Sequence, residues 1–251
     1  MADVKMMYNF ASTKHKNKKM EQKTYSYNHP HPAVTTDCVI FGFDGVGLNI
    51  LLVERGLEPY KGRWAFPGGF MQINETAEDC AKRELKEETN VDNVFVEQLQ
   101  AFSEVDRDPR ERVVTIAFYA LVRPSDFNVI GGDDAANAKW FAVNDVPPLA
   151  FDHERILRFA LTHMKQKIHF EPIGFKLLDN QFKMSELQRL YESILEVHFD
   201  RRNFYHKMLS LGILVPQNDR LPGTPHRKPS YFSFDEKRYM QLKQNGMSLE
   251  F

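Results

Sequence analysis

Two cysteines, Cys38 and Cys80, stand in a chain of 251 residues, with no CxxC and no pairing pattern. That scarcity excludes a disulfide framework and a cysteine-bound zinc site, and it fits a reducing cytoplasm. Long apolar runs are missing too. "CVIFGF" and "TIAFYALV" fall far short of the roughly 18 residues that a membrane span needs. The lysines near the N-terminus are followed by no apolar segment, so neither a signal peptide nor a membrane partner is expected. A formal net charge of −1 gives no chain-wide pull toward nucleic acid or an anionic surface, so any such preference must be local. What remains, 42% hydrophobic and 27% charged, is the composition of an ordinary globular protein with length for one large domain or two modest ones.

Residues 1–32 are polar, lysine-rich and without periodicity, which predicts a disordered arm. Its lysines outnumber its acids, six against two, so contact with DNA phosphates stands beside the plainer readings of a solvated tail or a true start at Met20. From Ala33 onward strands and helices mix. "AVTTDCVIFGF" and "LNILLVERG" flank "DGVG", which predicts a hairpin. "NVFVEQLQAFSEV", "RVVTIAFYALV" and "AKWFAV" read as further strands. A helix is predicted over "DHERILRFALTHMKQK", with Asp152 at its start and Ile156, Leu157, Ala160, Leu161 and Met164 on its apolar face.

The composition changes near residue 170, where a domain boundary is expected: 33–170 as one unit, 171–251 as the next. "KIHFEPIGFKLLDNQF" looks like a connector carrying a short strand. Ser185 followed by Gln188 has capping-box spacing, ahead of Leu187, Leu190, Tyr191, Ile194 and Leu195 at helical intervals. A further helix is predicted over "DRRNFYHKMLSLG", closed by Gly212. Two short strand-like ends then bracket a basic loop containing Arg220, Arg227 and Lys228. Helix, helix and β-ribbon is the order of a winged helix-turn-helix. Arg201, Arg202, Asn203 and Lys207 on the second helix, with Arg227 and Lys228 in the wing, are the candidate contacts to double-stranded DNA. A small dimerisation module is the competing reading, with Phe204, Tyr205, Tyr231 and Phe232 as its core.

The chemistry concentrates in "GGFMQINETAEDCAKRELKEETNV", Gly68 to Val91. With Asn74 taken as N-cap, Glu84, Glu87 and Glu88 fall on one helix face at i, i+3 and i+4, where like charges repel by a few tenths of a kcal/mol per pair, roughly. Arg83 offers partial compensation. A divalent cation offers more, because hard oxygen ligands suit Mg²⁺, or Mn²⁺ in its place, completed by substrate phosphates. The glycines let the backbone approach a ligand closely. Glycine loop, helix and clustered carboxylates describe a metal–diphosphate site.

Gly69, Glu75, "RELKEE" from Arg83 to Glu88, and Val91 are spaced as in the Nudix box, Gx5Ex7REUxEExGU, and the chain resembles that family. Only Asn90 departs, standing where the family has glycine, and Asn tolerates the left-handed conformation well. The resemblance implies an α/β/α sandwich with a mixed sheet. It also implies metal ligation by Glu84, Glu87 and Glu88, orientation of a glutamate by Arg83, and a loop–helix corner braced by Gly69 and Glu75. "DRDPRERVVT" is similar to a segment of ADP-ribose-type members, which assigns Arg107, Arg110 and Arg112 to phosphate recognition. The alternative for this loop is a charged hairpin with internal salt bridges. His153 receives a minor binding role. The tail is similar to that of the Nudix-related transcription regulators of the NrtR type, dimers that release operator DNA when an effector binds. That resemblance implies a homodimeric regulator answering to ADP-ribose or to a sugar such as arabinose. A Mg²⁺-dependent ADP-ribose pyrophosphatase with a structural tail is the other reading.

Overall fold

The computed structural model describes residues 26–131, 135–217 and 231–245. Most of the arm predicted over 1–32, and Arg220, Arg227 and Lys228, lie outside the described residues. The first unit is built on β1 (Ala33–Phe43) and β2 (Leu48–Arg55), paired antiparallel as the "DGVG" turn predicts. The turn is closed by Asp44, whose Oδ1 accepts from the Val46 and Gly47 amides, while Gly45 supplies the positive φ of 88°. Next come β3 (Trp64–Ala65), β4 (Gly68–Phe70), helix α1 (Ala77–Thr89), β5 (Glu97–Phe102), β6 (Val113–Val122) and β7 (Ala135–Ala142). The strand order is β3-β2-β1-β6-β5, with β4 on β1 and β7 on β2; β1 and β6 run parallel and the other pairs antiparallel.

A parallel pair at the centre of a sheet is covered on both faces, and β1 shows it. Cys38 and Ile40 point to α1, packing with Ala81 and Leu85. Val39 and Phe41 point the other way, to Ile156, Ala160 and Met164 of α2 (His153–Ile168). The result is the α/β/α sandwich with a mixed sheet.

The second unit holds α3 (Met184–Leu195), α4 (Arg201–Ser210), the ribbon β8 (Leu214–Gln217) and β9 (Tyr231–Phe234), and α5 (Glu236–Gln244). This is a winged helix. Phe204 and Met208 of α4 are buried in the same core as Leu187, Leu190 and Tyr191 of α3. Gly212, with φ of 66°, closes α4 as predicted. That core is continuous with the one under α2. Polar ties run beside it: the Leu48 amide donates to Ser193 Oγ (2.8 Å), and Arg189 donates to the Gly45 carbonyl (3.1 Å).

Several local expectations need correction. Helix α1 is capped by Thr76 rather than Asn74: Thr76 Oγ1 accepts from the Asp79 amide, and the Asp79 carboxylate accepts from the Thr76 amide. The physical cause is Glu75, whose carboxylate takes the Gln72 amide and holds the preceding residues in a turn. Helix α3 begins one residue before Ser185, with Glu186 accepting from the Lys183 amide. The connector forms a 3-10 helix over Ile173–Leu177 in place of a strand, and its strand character shrinks to one bridge, Phe182 to Phe232. Helix α5 was not anticipated; it is mostly polar and docks by Tyr239 against Ile213.

Candidate functional site

The Gly68–Gly69 pair joins the sheet to α1 where an added β-carbon would collide at either position. A β-carbon on Gly68 would lie 2.1 Å from the Thr36 carbonyl oxygen, and one on Gly69 would lie 2.4 Å from Glu84 Oε1. At Gly68 the obstacle is main chain, so packing itself requires glycine; at Gly69 it is the end of the Glu84 side chain, so glycine is required by where that carboxylate sits. The Gly68 amide donates to Glu88 Oε2 (2.9 Å), which fixes the far end of the helix against β4. Arg83 organises the rest. Its Nε and Nη2 make a fork with Glu75 (2.9 and 2.7 Å), Nη1 reaches Glu84 (2.6 Å) and Glu87 (3.1 Å), and Nη2 also donates to the Phe70 carbonyl. Glu75 thus braces the loop–helix corner through Arg83.

The three glutamates on the predicted face are not equivalent. Glu84 and Glu88 line a cleft of about 240 Å³, whereas Glu87 is drawn sideways by Arg83 and is half exposed. Among the described residues no three His, Cys, Asp or Glu side chains converge on a metal position. Burial pushes both cleft carboxyls up, Glu88 to about 8; the Glu84 charge raises Glu88 further, and Glu87 and Glu75 raise Glu84. A hard divalent cation relieves both effects, and two carboxylates completed by ligand oxygens is a donor set that such an ion accepts. Asn90 takes the left-handed conformation, φ 60° and ψ 16°, and its amide donates to the Lys86 carbonyl. The departure from glycine is accommodated there without distorting the helix.

Across the cleft stand the arginines. Arg107 is buried, its guanidinium forked on Asp152 (3.1 and 2.7 Å) with Asp37 at 3.5 Å. Arg110 is held by Asp108 and lies over the rings of Phe70 and Phe151, at 5.0 and 5.4 Å. Arg112 points elsewhere, donating to the carbonyls of Ser103, Glu104 and Val113. Internal salt bridges therefore do occupy this loop. Arg107 and Arg110 line the cleft and Arg112 does not. His153 is buried at the start of α2, stacked on Phe66; its Nδ1 accepts from the Phe66 amide and its Nε2 faces Asp37 at 3.4 Å. Burial raises the Asp37 carboxyl, but His153 and Arg107 outweigh it and hold it at about 2.

Sequence reasoning missed Arg55. It ends β2, sits over the Phe151 ring at 4.7 Å and lines the cleft. Burial and the neighbouring Arg110 both lower its pKa, so two guanidiniums share one ring at an electrostatic cost that an anionic ligand would remove. The signal available was a charged pair, Glu54–Arg55, ending an otherwise apolar strand.

Comparison with known proteins decides the class. The NUDIX domain family model matches residues 31–159. The chain belongs to the Nudix family. Residues 174–234 match the model of the NrtR DNA-binding winged helix domain, so this Nudix chain carries a second, C-terminal module. Among curated relatives, the Acinetobacter baylyi "ADPR responsive transcriptional repressor NtrR" is 29% identical over 84% of this chain and 86% of its own. The Methanocaldococcus jannaschii "ADP-ribose pyrophosphatase" is 40% identical over 56% of this chain and 79% of its own. Among solved structures, a MutT/nudix family protein from Enterococcus faecalis superposes with a TM-score of 0.70 at 29% identity, covering 84% of this chain and 89% of that one. Shewanella oneidensis NrtR superposes with a TM-score of 0.66 at 28% identity, covering 80% and 93%. That protein has also been solved with a 27mer DNA, and its NUDIX domain with ADP-ribose.

In the Nudix chain's winged helix, Arg201, Arg202 and Asn203 form the first turn of α4 and are exposed, as is Lys207. Asp200 caps that turn by accepting from the Asn203 amide.

Proposed function

We propose that the protein is a transcription repressor whose Nudix domain binds ADP-ribose and whose winged helix then releases operator DNA. One observation carries this reading: a single chain joins an arginine-walled cleft to a winged helix whose second helix opens with exposed Arg201, Arg202 and Asn203. The Acinetobacter and Shewanella proteins, whose names and titles mention ADP-ribose and DNA, support the same pairing. Arg55 and Arg110 meet the diphosphate, and Phe70 and Phe151 supply faces for a planar group. Glu84 and Glu88 would hold Mg²⁺ beside the diphosphate, and Glu87, now paired with Arg83, would be the third carboxylate of that set. The first turn of α4 lies in the major groove, Arg201 and Arg202 on phosphates and Asn203 on a base edge. A homodimer reads two half-sites, as helix-turn-helix proteins do.

A second reading rests on the box itself. Glu75, Arg83, Glu84 and Glu88 are all in place, and the Methanocaldococcus relative bears the name of a pyrophosphatase. Mg²⁺-dependent cleavage of ADP-ribose is compatible with sensing it; a metal held by Glu84 and Glu88 would supply neutralisation of the diphosphate charge and a more acidic water.

The test is fluorescence anisotropy with a labelled duplex from the region upstream of the protein's own gene. Specific binding should weaken steeply with salt and fall in Arg201→Ala plus Arg202→Ala, with the salt slope reduced by about 2. Binding indifferent to duplex sequence and to that double variant would sink the proposal.

A further inference from the structure

A second cavity, of about 310 Å³, lies where the linker between the two units crosses the ends of β5 and β6, and none of its lining residues lines the box cleft. Its size falls at the lower end of ordinary small-molecule sites. Phe95, Tyr119 and Phe175 give it aromatic walls. Phe95 is 66% exposed at its rim, which leaves much of its ring open to an occupant.

The charges around it do not balance. Glu97 is matched, accepting from Lys167 and from the Tyr119 hydroxyl (3.1 Å). Arg123 is matched by Asp126 at 2.6 Å. Lys176 has no acidic partner among the described residues; its ammonium sits 4.8 Å from the Phe95 ring centroid. An aromatic-walled cavity with one ammonium that has no acidic partner among the described residues is complementary to a ring bearing a single negative charge.

We propose that this cavity is a second small-molecule site, taking a small aromatic monocarboxylate with its ring on the aromatic walls and its carboxylate at Lys176. The site joins the two units. Phe95, Glu97, Tyr119, Ala120, Leu121 and Arg123 lie on or beside β5 and β6, and Ile173 to Asn180 belong to the linker into the winged helix. Beside it runs a chain of ion pairs from Glu97 through Lys167 and Glu171 to Lys243 of α5. An occupant touching Glu97 and Lys176 together therefore bridges the sheet and the linker.

Isothermal titration calorimetry of the full chain, with benzoate, benzamide and benzamidinium as probes of one shape and three charges, tests this directly. Benzoate should bind saturably, one per chain, with a dissociation constant on the order of 1 mM, ahead of benzamide and well ahead of benzamidinium. Lys176→Glu, at an exposed position that leaves the fold intact, should weaken benzoate about tenfold, because it exchanges an attraction for a repulsion. Saturating ADP-ribose should leave benzoate bound. Absence of saturable benzoate binding, equal binding to wild type and Lys176→Glu, or a preference for benzamidinium would each overturn the proposal, and displacement by ADP-ribose would move the site to the box cleft.

Discussion

Gly69→Ala separates the fold from the site more cleanly than removal of any glutamate. The added β-carbon would meet Glu84 Oε1 at 2.4 Å and Cδ at 2.5 Å, where ordinary contact begins at 3.4 Å. The carboxylate must therefore withdraw by roughly 1 Å, the difference between the two distances. It is the end of a flexible side chain and Gly69 has no positive φ, so the fold gives way easily, at about 1 kcal/mol or less. Metal coordination does not give way, since ligand distances tolerate only about 0.2 Å. Mg²⁺-dependent affinity for ADP-ribose should fall by about 10- to 100-fold, while the thermal midpoint moves by only a few degrees. The neighbouring glycine is the control. A β-carbon on Gly68 meets the Thr36 carbonyl, main chain of β1, at 2.1 Å, and Gly68→Ala should lose about 3 kcal/mol in urea unfolding. Calorimetric titration and urea unfolding on the two variants decide the matter. A Gly69→Ala protein that binds like wild type, or unfolds like Gly68→Ala, would refute the steric argument.

Three further outcomes follow from the same geometry. Asp152→Ala strips a buried guanidinium of its forked partner, leaving Asp37 at 3.5 Å, and should destabilise the protein by about 3–5 kcal/mol in chemical denaturation, against little change for a surface pair such as Lys82–Glu78. At Asn90, with φ of 60°, replacement by Gly should be neutral or slightly stabilising and replacement by Ala should cost about 1 kcal/mol, measured by urea midpoints. Glu88 titrates at about 8 instead of 4.5 because burial disfavours its charge. Its raised folded pKa favours the metal-free fold at low pH, a contribution lost as pH rises from 4.5 through about 8. A cation must displace that proton, so Mg²⁺ affinity should climb up to about pH 8 and then level, with proton release detectable in buffers of different ionisation enthalpy. Glu88→Gln should flatten the profile; an unchanged profile would show that another group sets it.

Spacing made the box legible because its residues act within one loop and helix, where sequence distance is spatial distance. The same holds for α2 and α3, whose apolar residues recur at helical intervals. What stayed hidden depends on separation. Arg55, Arg110 and Phe151 come together only when β2, the loop after β5 and the start of α2 meet at one end of the sheet. Arg107 shows the converse: its segment suggested ligand contact, yet its forked hydrogen bonds go to Asp152, forty-five residues on. The N-cap shifted from Asn74 to Thr76 because Glu75 bonds backward to Gln72, a side-chain preference that propensity does not record. Helix α5 escaped notice because Tyr239, with Leu242 partly buried beside it, gives too little apolar periodicity to read.

The central claim is that the Nudix cleft and the winged helix are energetically coupled, and linkage gives its most direct measurement. Operator affinity is determined with and without saturating ADP-ribose, and ADP-ribose affinity with and without saturating operator, on the full chain in one buffer. The account predicts that each ligand weakens the other by the same factor, about 5- to 150-fold. Tight binding of both ligands with no mutual effect would contradict it.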